Sequence, residues 1–420
     1  RGEQPQGVWR HALFREVEEQ LRKLERKPLE TLQVLREQLI QVQGCHTIAL
    51  YNERTVGRGF GELRHATSIK ERQPFTTSKM LSPRVHFRAC YKAYMNHPDT
   101  TAPDAWQDAA FMLARVTQAA ALAAWQYRGR GEPDEADAAA AHAIRAQLAH
   151  SRWPVRVISG EGEKDGVHHV TYGERFGPLT TSTTAADGCG LALDPIDGTA
   201  RLSLNRGGSL SAAALTPDRG LFDPGPSHYM EKIVCCARAG RGLDPEAPPA
   251  RIAAHVALAL DKPIQDLTVF VLDKPRHVQL VAELRAAGAR VACHDAGDLE
   301  AALSAATSHS SIDLLLGIGG TPEGMVAACG VRALGGHAYV RLAPQRAPEQ
   351  QALLERGLYP SPFRSVDQLV PEAAACAVTG ITPCSLVAGL EQTSEHVISE
   401  SVVYWGPGGG HARVRRVHAR

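Results

Sequence analysis

The chain has 420 residues, of which 44% are hydrophobic, 22% charged and 5% aromatic. These proportions are typical of a globular protein with two or three domain-sized units, and they exclude collagen-like and wholly disordered chains. The net charge of +1 gives no general field that would attract nucleic acid or an anionic membrane. No stretch reaches the roughly 18 consecutive apolar residues of a membrane span, so the sequence predicts neither nucleic acid nor a membrane as partner.

Residues 1–103 are predicted to form an N-terminal extension that is helical and partly disordered. Apolar residues recur at helical spacing over residues 1–44, with a break at Pro28, which favours either a partner-binding arm or helices resting on the body. Residues 45–103 hold 9 Lys/Arg against 4 Asp/Glu, which indicates a basic, loop-rich linker, with a targeting remnant as the alternative. Because the first residue is Arg, we expect the true start to be missing or processed.

Nine cysteines are scattered through the chain, and none forms a Cys-x-x-Cys pair. In a chain of this length, the pattern predicts reduced, buried thiols in a reducing compartment. We therefore expect a cytoplasmic location, or an organellar one if the extension is a targeting remnant.

From residue 104 the pattern predicts two lobes, 104–228 and 229–420. The first lobe is predicted to contain helices over 105–127 and from 134, and short buried strands at Val155–Ser159 and Gly190–Leu193. Strands and helices then alternate, which predicts parallel βαβ units. The predicted elements of this second lobe are helices 250–260, 276–287, 298–306 and 322–334, strands 267–272, 290–293, 312–316 and 337–342, and paired closing strands at 396–405 and 413–418.

Carboxylates follow a predicted strand at Asp194-Pro195-Ile196-Asp197-Gly198-Thr199. Pro195 stiffens the turn, and Gly198 lets the backbone approach a ligand. Clustered carboxylates supply the oxygen ligands that hard divalent cations require. The whole string is more specific than ordinary turn chemistry, and it predicts a functional site.

A second acidic segment, Gly160-Glu161-Gly162-Glu163, follows the strand at Val155–Ser159. Glu161 is the expected ligand because it lies nearer the strand end, while Glu163 is expected to act as a supporting group or a base that orients water.

A third segment, Gly317–Gly324, contains four glycines and Glu323. It is predicted to form a glycine-rich loop between strand 312–316 and helix 322–334, of the kind that cradles anions. Taken alone, Glu323 could simply complement the helix dipole.

Together, these segments resemble the class II fructose-1,6-bisphosphatases, including the dual type that also takes sedoheptulose 1,7-bisphosphate, within the lithium-sensitive sugar and inositol phosphatase superfamily. The resemblance extends from about Trp106 to His418. It implies an α/β fold, a layered α-β-α-β-α sandwich, and a homo-oligomer, either dimer or tetramer. Its further marks are Arg128–Gly131 with Asp137, Tyr229–Lys232, Lys274–His277, Gly297-Asp298 and Ala377–Thr382.

The resemblance also implies roles for individual residues. Two or more Mn2+ or Mg2+ ions would be held by Asp137, Glu161, Asp194, Asp197 and Glu323, although Asp197 stands where the family usually has Glu. The catalytic group would comprise Glu161, Glu163, Asp194, Asp197 and Thr199. Ala296 replaces an Asp that is usual in the family's Asp-Gly-Asp segment. Substrate would contact Asp197, Gly198, Thr199, Tyr229, Lys274, Pro275, Arg276, Gly297, Asp298 and Gly320.

The expected function is metal-dependent hydrolysis of the 1-phosphate of fructose 1,6-bisphosphate, and of the corresponding sedoheptulose bisphosphate, in gluconeogenesis or the Calvin cycle. Two alternatives stay open. One is an inositol-monophosphatase-like enzyme, which would not require Lys274–Arg276. The other is a catalytically weakened regulatory or scaffold protein acting through the N-terminal arm.

Overall fold

The computed structural model describes residues 104–160, 170–177, 188–218, 221–308, 310–407 and 409–419. The predicted N-terminal extension and the carboxylates Glu161 and Glu163 lie outside the described residues. None of the described helices is long and apolar enough to cross a membrane.

The described chain begins with two helices, alternates strands and helices through its middle, and ends with four strands in succession. Its helices are α1 Ala105–Trp125, α2 Pro133–Leu148, α3 Thr199–Ser203, α4 Pro249–Ala259, α5 Val278–Ala286, α6 Asp298–Ala306, α7 Thr321–Leu334, α8 Ala347–Glu355 and α9 Val366–Leu369. Its strands are β1 Val155–Ser159, β2 Arg175–Phe176, β3 Cys189–Asp197, β4 Leu210–Pro217, β5 Tyr229–Cys235, β6 Thr268–Leu272, β7 Arg290–His294, β8 Leu314–Gly320, β9 His337–Leu342, β10 Arg364–Ser365, β11 Ala374–Gly380, β12 Glu391–Gln392, β13 His396–Gly406 and β14 Gly410–Ala419.

The strands form two mixed sheets. The first has eight strands in the order β12-β13-β11-β4-β3-β1-β2, with β14 paired to β13. The second has six strands in the order β10-β9-β5-β8-β6-β7. Both sheets are flanked by helices on each face, so their central strands are buried on both sides.

Three hydrophobic cores hold five layers of helices and strands together. One core lies between helices α1 and α2 and the outer face of the first sheet. A second fills the space between the two sheets and contains α6 and α7. A third lies between the outer face of the second sheet and helices α4 and α5. This is the α-β-α-β-α sandwich that the resemblance implies.

Strand β6 shows how the sequence specifies this layering. Val269 and Val271 belong to the outer core, whereas Phe270 and Leu272 belong to the central one. Successive side chains of a strand point to opposite faces, so a strand covered on both faces reads as a continuous apolar run.

The second sheet combines the predicted parallel strands with an antiparallel strand that the helix–strand alternation did not predict. Strands β7, β6 and β8 are parallel, as predicted. However, β5 lies between β8 and β9 and is antiparallel to both. The alternation of helices and strands indicates which segments are strands. It does not indicate that β5, which comes earlier in the chain, lies between β8 and β9 in the sheet.

The predicted glycine-rich loop is also corrected. Gly317–Gly320 form the end of β8 and pair with β5 as far as Gly320 opposite Tyr229, and α7 starts at the next residue. Glycine has a low strand propensity, which is why the sequence predicts a loop here. Backbone hydrogen bonds to β5 nevertheless hold these residues in a strand.

The prediction of free, mostly buried thiols is confirmed for the described residues. All seven described cysteines are free, and five of them are buried. Cys235 and Cys236 are both buried at the end of β5, and burial raises the pKa of Cys235 to about 12.

A buried polar chain ties α1 to the first sheet. The hydroxyl oxygens of Thr117 and Thr379 are 2.7 Å apart, and those of Thr379 and Ser401 are 2.8 Å apart. The amide of Gln118 donates to the Ser401 hydroxyl at 3.1 Å. Thr379 is the central member of this chain.

We therefore expect Thr379→Val to destabilise the protein by about 1–3 kcal/mol, because the change leaves buried hydroxyls without their partner. Urea unfolding of wild type and variant measures this loss. Thr307→Val is the matched control: Thr307 is an exposed residue at the end of α6, and among the described residues its hydroxyl bonds only to the Leu303 carbonyl, so its loss should cost far less. Equal losses of unfolding free energy in the two variants would show that the buried hydrogen-bond chain contributes no more to stability than the Thr307 bond.

Candidate metal centre and active site

A β-bulge in β3 places two aspartates on the same side of the first sheet. Asp194 lies opposite Ala212 of β4, and Asp197 lies opposite Leu210, so three steps on β3 match two on β4. In a regular strand, residues three apart would face opposite sides. The extra residue restores the phase. Since Ala212 and Leu210 belong to the central core, both carboxylates point between the sheets.

Hydrogen bonds within the segment hold this bulge in shape. The amide of Ile196 donates to Asp194 Oδ1 at 3.1 Å. Gly198 has a φ of +84°, a left-handed conformation that favours glycine, and its carbonyl accepts a 2.9 Å bond from the Ser209 hydroxyl. The Ser209 amide in turn donates to Thr382 Oγ1 at 2.8 Å. The late segment marked by the resemblance therefore supports the acidic turn from behind.

Glu323 reaches the same space from the central layer. It lies in the first turn of α7, directly after β8. A Cβ built on Gly320 would lie 2.0 Å from Glu323 Oε2, so the backbone at 320 makes room for this carboxylate. Glycine at this position therefore has a steric reason.

The three carboxylates Asp194, Asp197 and Glu323 form a compact cluster. One oxygen from each lies within 4.8 Å of the others. Oδ2 of Asp197 is buried and has no hydrogen-bond partner among the described residues. Burial, followed by the charges of Asp298 and Glu323, raises the pKa of Asp197 well above its ordinary value. Such an all-oxygen set of buried, mutually repelling groups fits a Mg2+ or Mn2+ ion.

Asp137 lies beside this cluster without being one of its three members. It is buried on α2, and its Oδ1 is 3.1 Å from the Thr199 hydroxyl. The same hydroxyl lies 2.8 Å from the Ile196 carbonyl. A hydroxyl carries one proton, so Thr199 donates to one of these two oxygens at a time.

Asp298, expected at the substrate, is engaged in a buried ion pair. Its Oδ2 is 2.6 Å from Lys232 Nζ, and both side chains are almost fully buried. Gly319 passes directly over the pair, since a Cβ there would lie 2.0 Å from Asp298 Oδ2. The charge of Lys232 opposes the rise in the pKa of Asp197 caused by the surrounding carboxylates. Lys232 thus places the site's buried positive charge close to its acidic cluster.

The segment after β6 brings Arg276 and Tyr229 together. Nε and Nη2 of Arg276 donate to the Ile318 carbonyl at 3.1 and 2.7 Å, and its guanidinium carbon is 5.3 Å from the centre of the Tyr229 ring. Arg276 is exposed and Lys274 half-buried. Tyr229 pairs with Gly320, which borders Glu323. These residues therefore lie beside the carboxylate cluster.

Two structural residues had no predicted role. Lys232 is one: it shares a face of β5 with the buried Met230 and Val234, and a lysine at that position could have signalled a buried partner. His277 is the other: its Nδ1 is 2.7 Å from the Leu272 carbonyl, and its Nε2 accepts from the Ile318 amide at 2.8 Å. Burial lowers the pKa of His277, in keeping with a neutral ring that donates through Nδ1. His277 joins the ends of β6 and β8.

Comparison with known proteins identifies the family of this chain. The family model described as bacterial fructose-1,6-bisphosphatase, glpX-encoded, matches residues 107–419. The chain belongs to the class II fructose-1,6-bisphosphatase family. The fructose-1,6-bisphosphatase 1 class 2 of Escherichia coli (strain K12) is 32% identical over 329 residues, covering 74% of this chain and 95% of the relative. The class 2 enzymes of Escherichia coli O6:H1 and Shigella flexneri give the same figures. Residues 1–106 lie outside the family match.

We expect Asp197→Asn to stabilise the metal-free protein at pH 7 by about 1–3 kcal/mol, the scale of a buried group without a partner. Folding raises the pKa of Asp197. As the pH rises from the pKa of Asp197 in the unfolded protein through its pKa in the folded protein, ionisation of Asp197 increasingly destabilises the folded state. Thermal unfolding with a chelator, at pH 5 and pH 8, measures the effect, which should be larger at pH 8. Adding Mn2+ should stabilise the wild type more than the variant.

Asp313→Asn is the control for this prediction. Asp313 is also buried, but it is 2.6 Å from Lys262 Nζ and accepts from the Thr268 amide. Its loss should destabilise the protein with or without Mn2+. A metal-free Asp197→Asn protein that is less stable than wild type would contradict the assignment of Asp197.

Proposed function

We propose that this protein is a divalent-metal-dependent phosphatase that hydrolyses the 1-phosphate of fructose 1,6-bisphosphate, giving fructose 6-phosphate and inorganic phosphate in gluconeogenesis. The observation that carries the proposal is the convergence of Asp194, Asp197 and Glu323 within 4.8 Å, in a chain of this family.

The charge of the substrate explains why this cluster matters. A phosphate monoester is dianionic and repels an attacking hydroxide. When bound, two or more Mg2+ or Mn2+ ions would supply positive charge to the phosphoryl oxygens and lower the pKa of a water molecule. Asp194, Asp197 and Glu323 would hold them, with Asp137 and Glu161 as the further proposed ligands.

Thr199 is proposed to orient the attacking water. Its proton is directed to Asp137 Oδ1 or to the Ile196 carbonyl, so its oxygen can accept a hydrogen bond from water. Glu163 remains a prediction as a supporting base, since it lies outside the described residues.

Lys274, Arg276 and Tyr229 are proposed to bind the phosphate that is not hydrolysed. The Ile318 carbonyl fixes one edge of the Arg276 guanidinium, and Nη1 is left to donate to an anion. Backbone at Gly198, Pro275, Gly297 and Gly320 would complete the cradle. Because Asp298 Oδ2 binds Lys232, Oδ1 is the oxygen that we propose for a sugar hydroxyl.

Substrate range, pathway, assembly and location are also part of the proposal. Use of sedoheptulose 1,7-bisphosphate, a place in the Calvin cycle, a homo-oligomeric assembly and a cytoplasmic location are predictions that go with it. A substrate panel of fructose 1,6-bisphosphate, sedoheptulose 1,7-bisphosphate and inositol 1-phosphate distinguishes the bisphosphatase from an inositol-phosphatase-like activity. No phosphate release from any of them with Mn2+ or Mg2+ would favour a scaffold role.

Asp194→Asn should lower kcat for fructose 1,6-bisphosphate by about 100-fold or more, because loss of a ligand removes charge from the transition state. A phosphate-release assay with Mn2+ measures the change, and circular dichroism checks the fold. Asp313→Asn, a buried aspartate in a different part of the sandwich, should retain turnover if it folds. Near-normal turnover in Asp194→Asn would refute the role of Asp194.

Arg276→Met should reduce kcat/KM for fructose 1,6-bisphosphate by about 10- to 150-fold, since a charge-assisted contact is worth roughly 1.5–3 kcal/mol. A monophosphate substrate without the second phosphate should be affected far less. Arg276→Lys should recover only part of the loss, because lysine keeps the charge but not the planar fork. Equal losses on both substrates would assign Arg276 to the reacting phosphate or to the fold.

A further inference from the structure

Arg201 forms an ion pair with Asp295 between two segments of the candidate site. It lies on α3, two residues after Thr199, while Asp295 follows β7, three residues before Asp298. Nε and Nη2 of Arg201 both donate to Asp295 Oδ1, the first at 2.7 Å. The pair thus joins the segment that carries Thr199 to the one that carries Asp298.

The backbone beneath Arg201 is shaped to hold its guanidinium. Nη1 donates to the Gly207 carbonyl at 2.9 Å. Gly208 has a φ of +94°, and a Cβ there would lie 2.5 Å from the same Nη1. The Arg201 side chain is 21% exposed, while that of Asp295 is 50% exposed. Arg201 is therefore fixed along its length, unlike a freely moving surface arginine.

Asp295 lies next to Lys274 at the edge of the second sheet. Strands β6 and β7 are parallel neighbours with Leu272 opposite His294, and the Asp273 amide donates to the His294 carbonyl at 2.7 Å. Lys274 and Asp295 therefore leave adjacent strand ends at the same edge. Hydrogen bonds from Arg201 lower the pKa of Asp295, and the charge of Lys274 adds to this lowering.

Asp295 therefore has two possible cationic partners, Lys274 and Arg201, and in the structure it pairs with Arg201. Among the described residues, the structure contains no ion pair between Lys274 and a carboxylate, whereas Arg201 contacts Asp295 through two nitrogens. A carboxylate paired with Lys274 would compete directly with a phosphate for the same ammonium group.

We propose that Arg201 is a positioning residue that keeps the Asp295 carboxylate away from Lys274, so that Lys274 is available to the phosphate that is not hydrolysed. The inference rests on the proposed function for the role of Lys274, and it adds a device that protects this anion site from the protein's own acid. Arg201 acts through Asp295 and does not itself contact substrate.

Two single variants that break the same ion pair should have different effects. In Arg201→Met, Asp295 is released and can pair with Lys274, so binding of fructose 6-phosphate, which retains the anchored phosphate, should weaken about fivefold, the scale of one partly exposed ion pair. In Asp295→Asn, no competing charge remains, so binding should stay within about twofold of wild type. The double variant should also stay within about twofold.

Calorimetric titration of fructose 6-phosphate into the Mn2+-loaded full chain measures these affinities, and Arg201→Gln replaces the Met variant if the latter does not fold. Steady-state assays with fructose 1,6-bisphosphate should show the same pattern in KM, with kcat unchanged. The deficit of Arg201→Met should shrink in 0.5 M salt, because a partly exposed charge is screened.

Three results would overturn the inference. Equal weakening in both single variants would make the pair a structural bridge between the two segments. A double variant as weak as Arg201→Met would mean that Arg201 contacts the phosphate itself. Unchanged binding in Arg201→Met would show that Asp295 does not compete. Absence of phosphate release by the wild type would instead refute the proposed function, so the two failures are distinguishable.

Discussion

The extra residue in β3 between Asp194 and Asp197 is the constraint on which the site depends. Without the bulge, one of these carboxylates would face the helices α1 and α2, where the neighbouring side chains are apolar. With it, both face the central layer, where α7 delivers Glu323. Pro195 is well placed for this irregularity, because it cannot donate a ladder hydrogen bond. The Ile196 amide and the Ser209 hydroxyl donate the bonds that hold the bulge in one conformation, and Thr382 Oγ1 accepts from the Ser209 amide.

Concentrating carboxylates in a buried layer is electrostatically costly, and the structure offsets only part of that cost. Lys232 pairs with Asp298 and thereby compensates one of the carboxylates beside the cluster. Burial, followed by the charges of Asp298 and Glu323, still raises the pKa of Asp197, so Lys232 does not offset the whole cost. The site therefore lowers its free energy when a divalent cation binds or when a proton is taken up. This is the physical link between the fold and a metal-dependent reaction.

The sequence predicts most elements because their apolar patterns are strong and local. Strands β1 and β9 match their predicted bounds, and helix α6 does as well. The acidic turn and Glu323 could also be picked out as candidate site residues, because they follow strands where ligands are commonly bound, and the structure brings Asp194, Asp197 and Glu323 together.

Other features depend on contacts between distant segments, which local patterns do not report. The β8 glycines read as a loop, yet β5 pairs with them, and the steric reasons for Gly319 and Gly320 lie in Asp298 and Glu323. The Lys232–Asp298 and Arg201–Asp295 pairs join residues 66 and 94 positions apart. No periodicity in the chain could have predicted these partners.

The central claim is that Asp194, Asp197 and Glu323 bind a divalent cation together. The most direct measurement is a titration of Mn2+ into the metal-free protein, for wild type and Glu323→Gln. Electron paramagnetic resonance measures the concentration of free Mn2+ at each step. Glu323 belongs to a different layer from the two aspartates, so the comparison tests convergence and not merely the acidic turn. We expect the wild type to bind Mn2+ and the variant to bind at least about tenfold more weakly. Equal Mn2+ binding by the two proteins would contradict the account.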